Sequence, residues 1–229
     1  MFDTLMGLPL FRGVSRERMA DTVGSHRFHF LKYTPGHVIF RAGDTCTDLA
    51  FILSGTATVD IVNPDGRFAV SQNLTGPEVL SPDFLFGRIT AYPGTVTAVD
   101  TVSMLLIPKA DYLAILNSDP VFLLNYLNLL SMNAQKATEG ILAVSTGDVP
   151  ERIAFWISAL TQARARNIVM SCRRRDLVSL FGVPRTTLKQ ALDEMTAAGL
   201  ITYTRSEIKV TERRALLSLL HNHSESPDD

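Results

Sequence analysis

Cysteine is scarce in this 229-residue chain: only Cys46 and Cys172 are present, far apart in sequence. Two thiols so separated build neither a disulfide framework nor, alone, a four-cysteine metal site. Both read as small buried apolar residues. Long apolar runs are also missing. The longest, residues 121–132, is too short to cross a bilayer and carries Asn125, Asn128 and Ser131. The first ten residues lack a basic segment, and Gly7 and Pro9 interrupt their apolar side chains. No signal peptide is expected from them, so the reading is a cytoplasmic protein without a membrane partner. Catalytic signatures are lacking too. There is no Gly-x-Ser-x-Gly, no Walker loop and no paired-carboxylate pattern, no His-x-His lies on the strands, and His26 and His29 have no third ligand nearby. No catalytic or metal residue is therefore assigned. An enzyme with a cupin-like catalytic domain stays a remote alternative, as does an adaptor that uses its C-terminal half for protein contacts.

What the chain does have is a lopsided charge. Residues 1–147 hold 10 Lys/Arg and 13 Asp/Glu, whereas residues 148–223 hold 12 and 7; Glu225, Asp228 and Asp229 in the tail bring the total to −1. A basic half joined to an acidic one suggests a polyanion partner for the basic half, provided a docking element exists.

Short strands fill the region from Arg27 to Ile107. Residues 27–33, 56–62, 95–100 and 102–107 alternate, with turn residues between the runs, notably Asn63-Pro64-Asp65-Gly66. Many short strands at this spacing imply an antiparallel roll, preceded by a helix over 15–23 with Ser15 as its N-cap. After Pro108 the period becomes helical: a short helix over 109–116, then a long one over 121–144 opened by Asp119-Pro120. The first half of that long helix is apolar nearly all round, so it needs two surfaces to pack against. These are the strand domain and the same helix of a second chain, or else it is the central helix of one monomeric core. Residues 145–150 then form a hinge-like turn.

Beyond the hinge come a helix over 148–160, a β-prone segment at 168–170, a helix over 173–181 closed by Gly182, and a helix over 185–198 ended by Gly199. A hairpin with Arg205-Ser206 at its tip follows, then a last helix over 212–220 capped by Thr211. This is the plan of a winged helix-turn-helix. Projected at 100° per residue, Leu188, Ala191, Leu192 and Met195 share one stripe, and Thr186, Lys189, Gln190 and Asp193 lie opposite. Arg185, Thr186, Lys189 and Gln190 are suited to base edges in a major groove. Arg173, Arg174, Arg175, Thr187 and Arg205 are placed for phosphates. Three arginines at a helix start oppose the helix dipole, which favours an external anion there.

At these residues the chain resembles the cyclic-AMP receptor protein / fumarate-nitrate reductase regulator (CRP/FNR) family. The similarity lies in Gly182-Val183-Pro184-Arg185-Thr186-Thr187-Leu188-Lys189-Gln190-Ala191-Leu192 with Ala198-Gly199-Leu200-Ile201, and in Tyr33-Thr34-Pro35-Gly36-His37-Val38-Ile39-Phe40-Arg41-Ala42-Gly43-Asp44 and Phe51-Ile52-Leu53-Ser54-Gly55. It runs from about Pro9 to His221. The resemblance implies an α+β fold in three parts: an N-terminal antiparallel β-roll (a cupin-like jelly roll) over residues 1–118, a dimerisation helix and hinge over 119–147, and a winged helix-turn-helix over 148–229. It implies a homodimer that binds a pseudo-palindromic operator under control of an effector in the roll, with RNA polymerase as a further candidate partner. The effector pocket falls on Ser81, Arg88, Tyr92, Thr95, Ala137 and Thr138. Departures from the family pattern bear on the effector. Ser81 stands where cyclic-nucleotide binders have Glu, and Tyr92-Pro93 where they have Arg-Ser, which speaks against cyclic AMP. The cysteine cluster of the iron–sulfur branch is absent. His26, His29 and His37 leave haem sensing as an alternative, and ligand-independent regulation as another; the effector stays unidentified. Thr186 replaces the Glu that many relatives aim at cytosine, so the operator should differ at that step.

Overall fold

The computed structural model describes residues 5–143 and 147–221. By its internal contacts the chain divides into two units: Met1–Thr58 with Thr75–Gln135, and Val59–Leu74 with Lys136–Asp229.

In the first unit, helix α1 (Arg16–Ser25) starts at Ser15, whose hydroxyl accepts from the Arg18 amide, as expected of its N-cap. Strands β1 (His29–Tyr33), β8 (Val102–Pro108), β3 (Asp48–Ser54) and β6 (Glu78–Leu80) form an antiparallel sheet in that order. Strand β1 begins two residues later than the alternation suggests. Centrally placed β3 is apolar from Leu49 to Leu53, and Leu49, Ala50, Phe51 and Ile52 are all buried, because both of its faces are covered. Phe51 stands opposite Leu105 of β8. Strand β2 (Val38–Phe40) pairs with β7 (Thr95–Ala98). Helix α2 (Lys109–Ser118) leads into α3 (Pro120–Ala143), whose 24 residues extend about 36 Å. Asp119 opens α3 by accepting from the Val121 amide at 2.8 Å, and it is ion-paired to Arg18. The core gathers Leu10, Phe11 and Met19 with Phe51, Leu105, Tyr112 and Phe122. The Phe11 ring lies 5.8 Å from Phe51 and 5.9 Å from Phe122, at edge-on or tilted angles that suit aromatic quadrupoles.

Gly55 joins β3 to β4 (Thr56–Val62) at φ +86, where an added Cβ would stand 2.3 Å from the Thr101 carbonyl oxygen. Only glycine fits there.

In the second unit, helix α4 (Val149–Leu160) opens with a capping box: Asp148 accepts from the Glu151 amide and Glu151 accepts from the Asp148 amide. Residues 144–146, the end of the expected long helix and the start of the expected hinge, lie outside the described residues. Strand β9 (Arg166–Cys172) pairs on one side with β11 (Glu207–Glu212), which pairs with β10 (Thr202–Tyr203). On its other side β9 pairs with β5 (Phe68–Thr75), in register Phe68 opposite Cys172 and Val70 opposite Met170. The loop between β4 and β5 is held by Asn63, which accepts from the Phe68 amide at 2.8 Å. Gln72 of β5, itself buried, accepts from the Gln162 amide at 2.8 Å. Residues 59–74, placed with the roll in the sequence reading, group by their internal contacts with the C-terminal elements, while β4 also neighbours β7 in the same sheet. Helices α5 (Arg174–Phe181), α6 (Arg185–Ala197) and α7 (Arg213–His221) complete the unit. Thr211 was expected to cap the last helix, but β11 continues through it to Glu212, opposite Arg166 of β9, so the helix starts at Arg213.

Candidate nucleic-acid interface

Helix α5 ends at Gly182, which adopts φ +63 and lets the chain reverse into Val183-Pro184. Pro184 occupies the N-cap of α6 and leaves that terminus without a side-chain cap. Below, Leu188, Ala191, Leu192 and Met195 are buried, as their spacing predicts. The Phe181 ring stacks edge-on against Trp156 of α4 at 5.8 Å, which docks α5 on the core.

This packing turns Arg185, Thr186 and Lys189 outward. Together with Arg173, Arg174 and Arg175 at the start of α5 and Arg205 at the wing tip, they line one concavity of about 490 Å³. Six of its seven lining residues are cations. Of the nine residues assigned to DNA by sequence, Thr187 and Gln190 do not line it, though both are exposed on α6. An uncapped helix N-terminus beside a cationic hollow attracts phosphate by dipole and charge together.

Several of these side chains have partners that sequence reasoning did not weigh. Lys189 donates to Asp193 Oδ2 at 2.5 Å, and Gln190 donates to Glu194 Oε1 at 2.9 Å. Both are i,i+4 pairs, and their spacing was legible. Tyr203 Oη donates to Asp193 Oδ1 at 2.5 Å, and the Arg174 guanidinium lies over the Tyr203 ring, 5.4 Å from its centroid. The Lys189 ammonium and then the Tyr203 hydroxyl hold the Asp193 carboxyl below its usual range, and Asp193 raises the Lys189 ammonium in turn. Arg175 pairs with Asp176 at 3.6 Å.

The residues assigned to an effector are placed less suggestively. Ser81 adopts a left-handed backbone at the head of a short 3₁₀ turn, Pro82–Phe84. Arg88 is exposed. Tyr92 is buried, its ring stacked on Phe40 at 4.1 Å, and burial keeps its phenol protonated far above neutral pH. Thr95 accepts from the Ala42 amide at 3.2 Å. Ala137 and Thr138 are exposed on α3. His29 and His37 are exposed, His37 near the Tyr33 ring, while His26 Nδ1 lies 3.1 Å from the Thr22 carbonyl. Among the described residues no three metal-ligating side chains come together, and no single helix is long and apolar enough to cross a membrane.

Comparison with known proteins bears on the same two regions. Residues 30–119 match the model of the cyclic nucleotide-binding domain, and residues 151–219 match that of the Crp-like helix-turn-helix domain. The chain belongs to the CRP/FNR family. It is 24% identical over 217 residues to the cyclic AMP receptor protein of Thermus thermophilus, covering 93% of this chain and 96% of that protein. It is 23% identical over 230 residues to the CRP-like cAMP-activated global transcriptional regulator of Mycobacterium tuberculosis, covering 94% and 98%. Among solved structures, the catabolite activator protein of Thermus thermophilus aligns over 92% of this chain and 97% of its own, at 19% identity and a TM-score of 0.49. This CRP/FNR member is thus a transcription regulator with a cyclic-nucleotide-binding-type domain and a DNA-binding helix-turn-helix.

Proposed function

We propose that the chain acts as a homodimer that reads a pseudo-palindromic operator with α6 and answers to an effector other than cyclic AMP. The observation that carries the DNA reading is the concavity in which Arg173, Arg174, Arg175, Arg185, Lys189 and Arg205 converge. Arg185 and Thr186, in the first turn of α6, are positioned to enter a major groove. Gln190, one turn on, would then follow along the same base edges. The arginines of α5 and Arg205 of the wing take the flanking phosphates.

Self-association is supported by α3. Leu124 and Leu127 are 56% and 48% exposed there, with Leu123 beside them. Three adjacent leucines on a 24-residue helix are a face that a second copy would cover.

Ser81 and Tyr92 offer neither a carboxylate for a ribose nor a guanidinium for a cyclic phosphate, which supports an effector of another class. A ligand-independent regulator is the second reading, favoured by Leu85 and Tyr92 being absorbed into the core. RNA polymerase is a partner only by analogy. Nothing in the site calls for catalysis, and we read the chain as a non-enzyme.

Two measurements test these statements together: gel shift against random genomic fragments at low and moderate salt, and the solution mass of the free protein. A protein that retards no fragment at low salt overturns the DNA reading, and a monomeric mass overturns the dimer. Calorimetric titration with cyclic AMP is expected to show no heat of binding.

A further inference from the structure

Asp193 is an acid at the edge of a cationic surface, an odd placement for a group that approaches phosphates. Its two oxygens are both engaged: Oδ2 with the Lys189 ammonium and Oδ1 with the Tyr203 hydroxyl, each at 2.5 Å. The Arg174 guanidinium lies over the Tyr203 ring and reaches the Thr204 carbonyl at 3.5 Å. One carboxylate thereby links the first helix of the motif, the wing and the recognition helix. Helix stability does not explain the ion pair. With Lys preceding Asp, the pair runs in the less favourable order for the helix dipole, and both side chains are largely exposed.

Resting on the DNA-binding reading above, we infer that Asp193 is a specificity-determining residue that acts by positioning Lys189. The carboxylate holds the ammonium at one place on α6 and withholds it from the phosphates that a free lysine would seek. Lys189 is left to donate to an acceptor edge within its reach, such as guanine O6 or N7. Tyr203 fixes the carboxylate in turn, so the wing and α6 present their contacts in one register.

The consequence is unusual for a mutation in a binding surface. Asp193→Asn frees Lys189, so binding to non-specific DNA becomes stronger while discrimination falls. Damage to the fold cannot raise an affinity, which separates positioning from a structural role.

The test uses the full chain as wild type, Lys189→Ala, Asp193→Asn, the double variant and Asp193→Glu. The probes are a labelled random-sequence duplex and a duplex enriched from a random library by the wild type, titrated from about 50 to 200 mM salt. Asp193→Asn is expected to bind the random duplex about tenfold more tightly at the low-salt end, with a log–log salt slope steeper by about 0.9, as for one added phosphate contact. Its preference for the enriched duplex falls. Asp193→Glu, which keeps a carboxylate within reach, restores the wild-type slope. In the Lys189→Ala background the asparagine has no effect. A wild-type slope and preference in Asp193→Asn overturn the inference, as does an asparagine effect that persists without Lys189, which would mark simple removal of a repelling charge. Failure of the wild type to bind either duplex overturns the DNA-binding reading instead.

Discussion

Phe68 of strand β5 packs its ring against Trp156 of helix α4, with centroids 5.2 Å apart and planes tilted by 52°. Trp156 is the sole tryptophan and is buried, so its emission reports this contact directly. Phe68→Ala should shift that emission to the red and lower stability by about 1–3 kcal/mol, because Phe68 is only partly buried and the aromatic pair adds to the area lost. Equilibrium denaturation followed by tryptophan fluorescence measures both. An unchanged emission maximum would mean that the hairpin does not shield the indole in solution.

Gly55 offers a sharper test of the first unit. An alanine there meets the Thr101 carbonyl oxygen at 2.3 Å and must hold a left-handed backbone. Gly55→Ala should cost about 2–4 kcal/mol from strain and displacement combined. Gly66, also left-handed but with open space around it, should lose only about 1 kcal/mol as alanine. Thermal melts of the two variants, side by side, check the contrast.

Arg185 and Arg175 should fail differently. Arg185→Ala removes a first-turn side chain of α6, and its affinity for an enriched operator should drop by about 1–3 kcal/mol while random DNA is bound nearly as before. Arg175→Ala should weaken binding on every sequence and flatten the salt slope by about 0.9. Equal losses of Arg185→Ala on both kinds of DNA would remove it from base reading.

Cys172 lies at the end of β9. Burial and then the nearby Asp176 carboxylate push its thiol up to about 11. A raised thiol means that the folded chain favours the protonated form. That contribution is complete below the ordinary thiol range and is lost as the pH climbs toward 11. Alkylation of Cys172 at pH 8 should therefore run roughly a hundredfold slower than for a free thiol of ordinary acidity, since the thiolate is the reacting form and its share falls in step with the acidity of the thiol. Iodoacetamide kinetics on the Cys46→Ala protein give the rate. A rate equal to that of the unfolded chain would contradict the burial described for Cys172.

The recognition helix was readable from sequence because one local rule governs it: a 3.6-residue period set Leu188, Ala191, Leu192 and Met195 apart from the polar face, and burial follows that division residue by residue. The convergence of Arg173 with Arg205 was likewise implied by the motif. Ladders between distant segments were not readable. Nothing in the alternation of residues 68–75 says that β5 pairs with β9, since edge pairing depends on backbone groups that every residue carries. The same blindness misplaced Thr211, which looks like a helix cap until β9 draws β11 onward to Glu212. Tyr203 was missed for a different reason: its hydroxyl matters through Asp193, ten residues earlier on another element.

The strand pairing has a practical corollary. Cutting the chain before Asp148 to obtain the winged helix alone would strip β5 from β9 and lay bare a row of unsatisfied amides and carbonyls from Arg166 to Cys172. Trp156 would lose Phe68 and Gln162 would lose Gln72 in the same stroke. Such a fragment would be sticky, inclined to stack edge to edge with its own copies. The second unit thus takes in sixteen residues, 59–74, that are encoded well upstream of the helix-turn-helix.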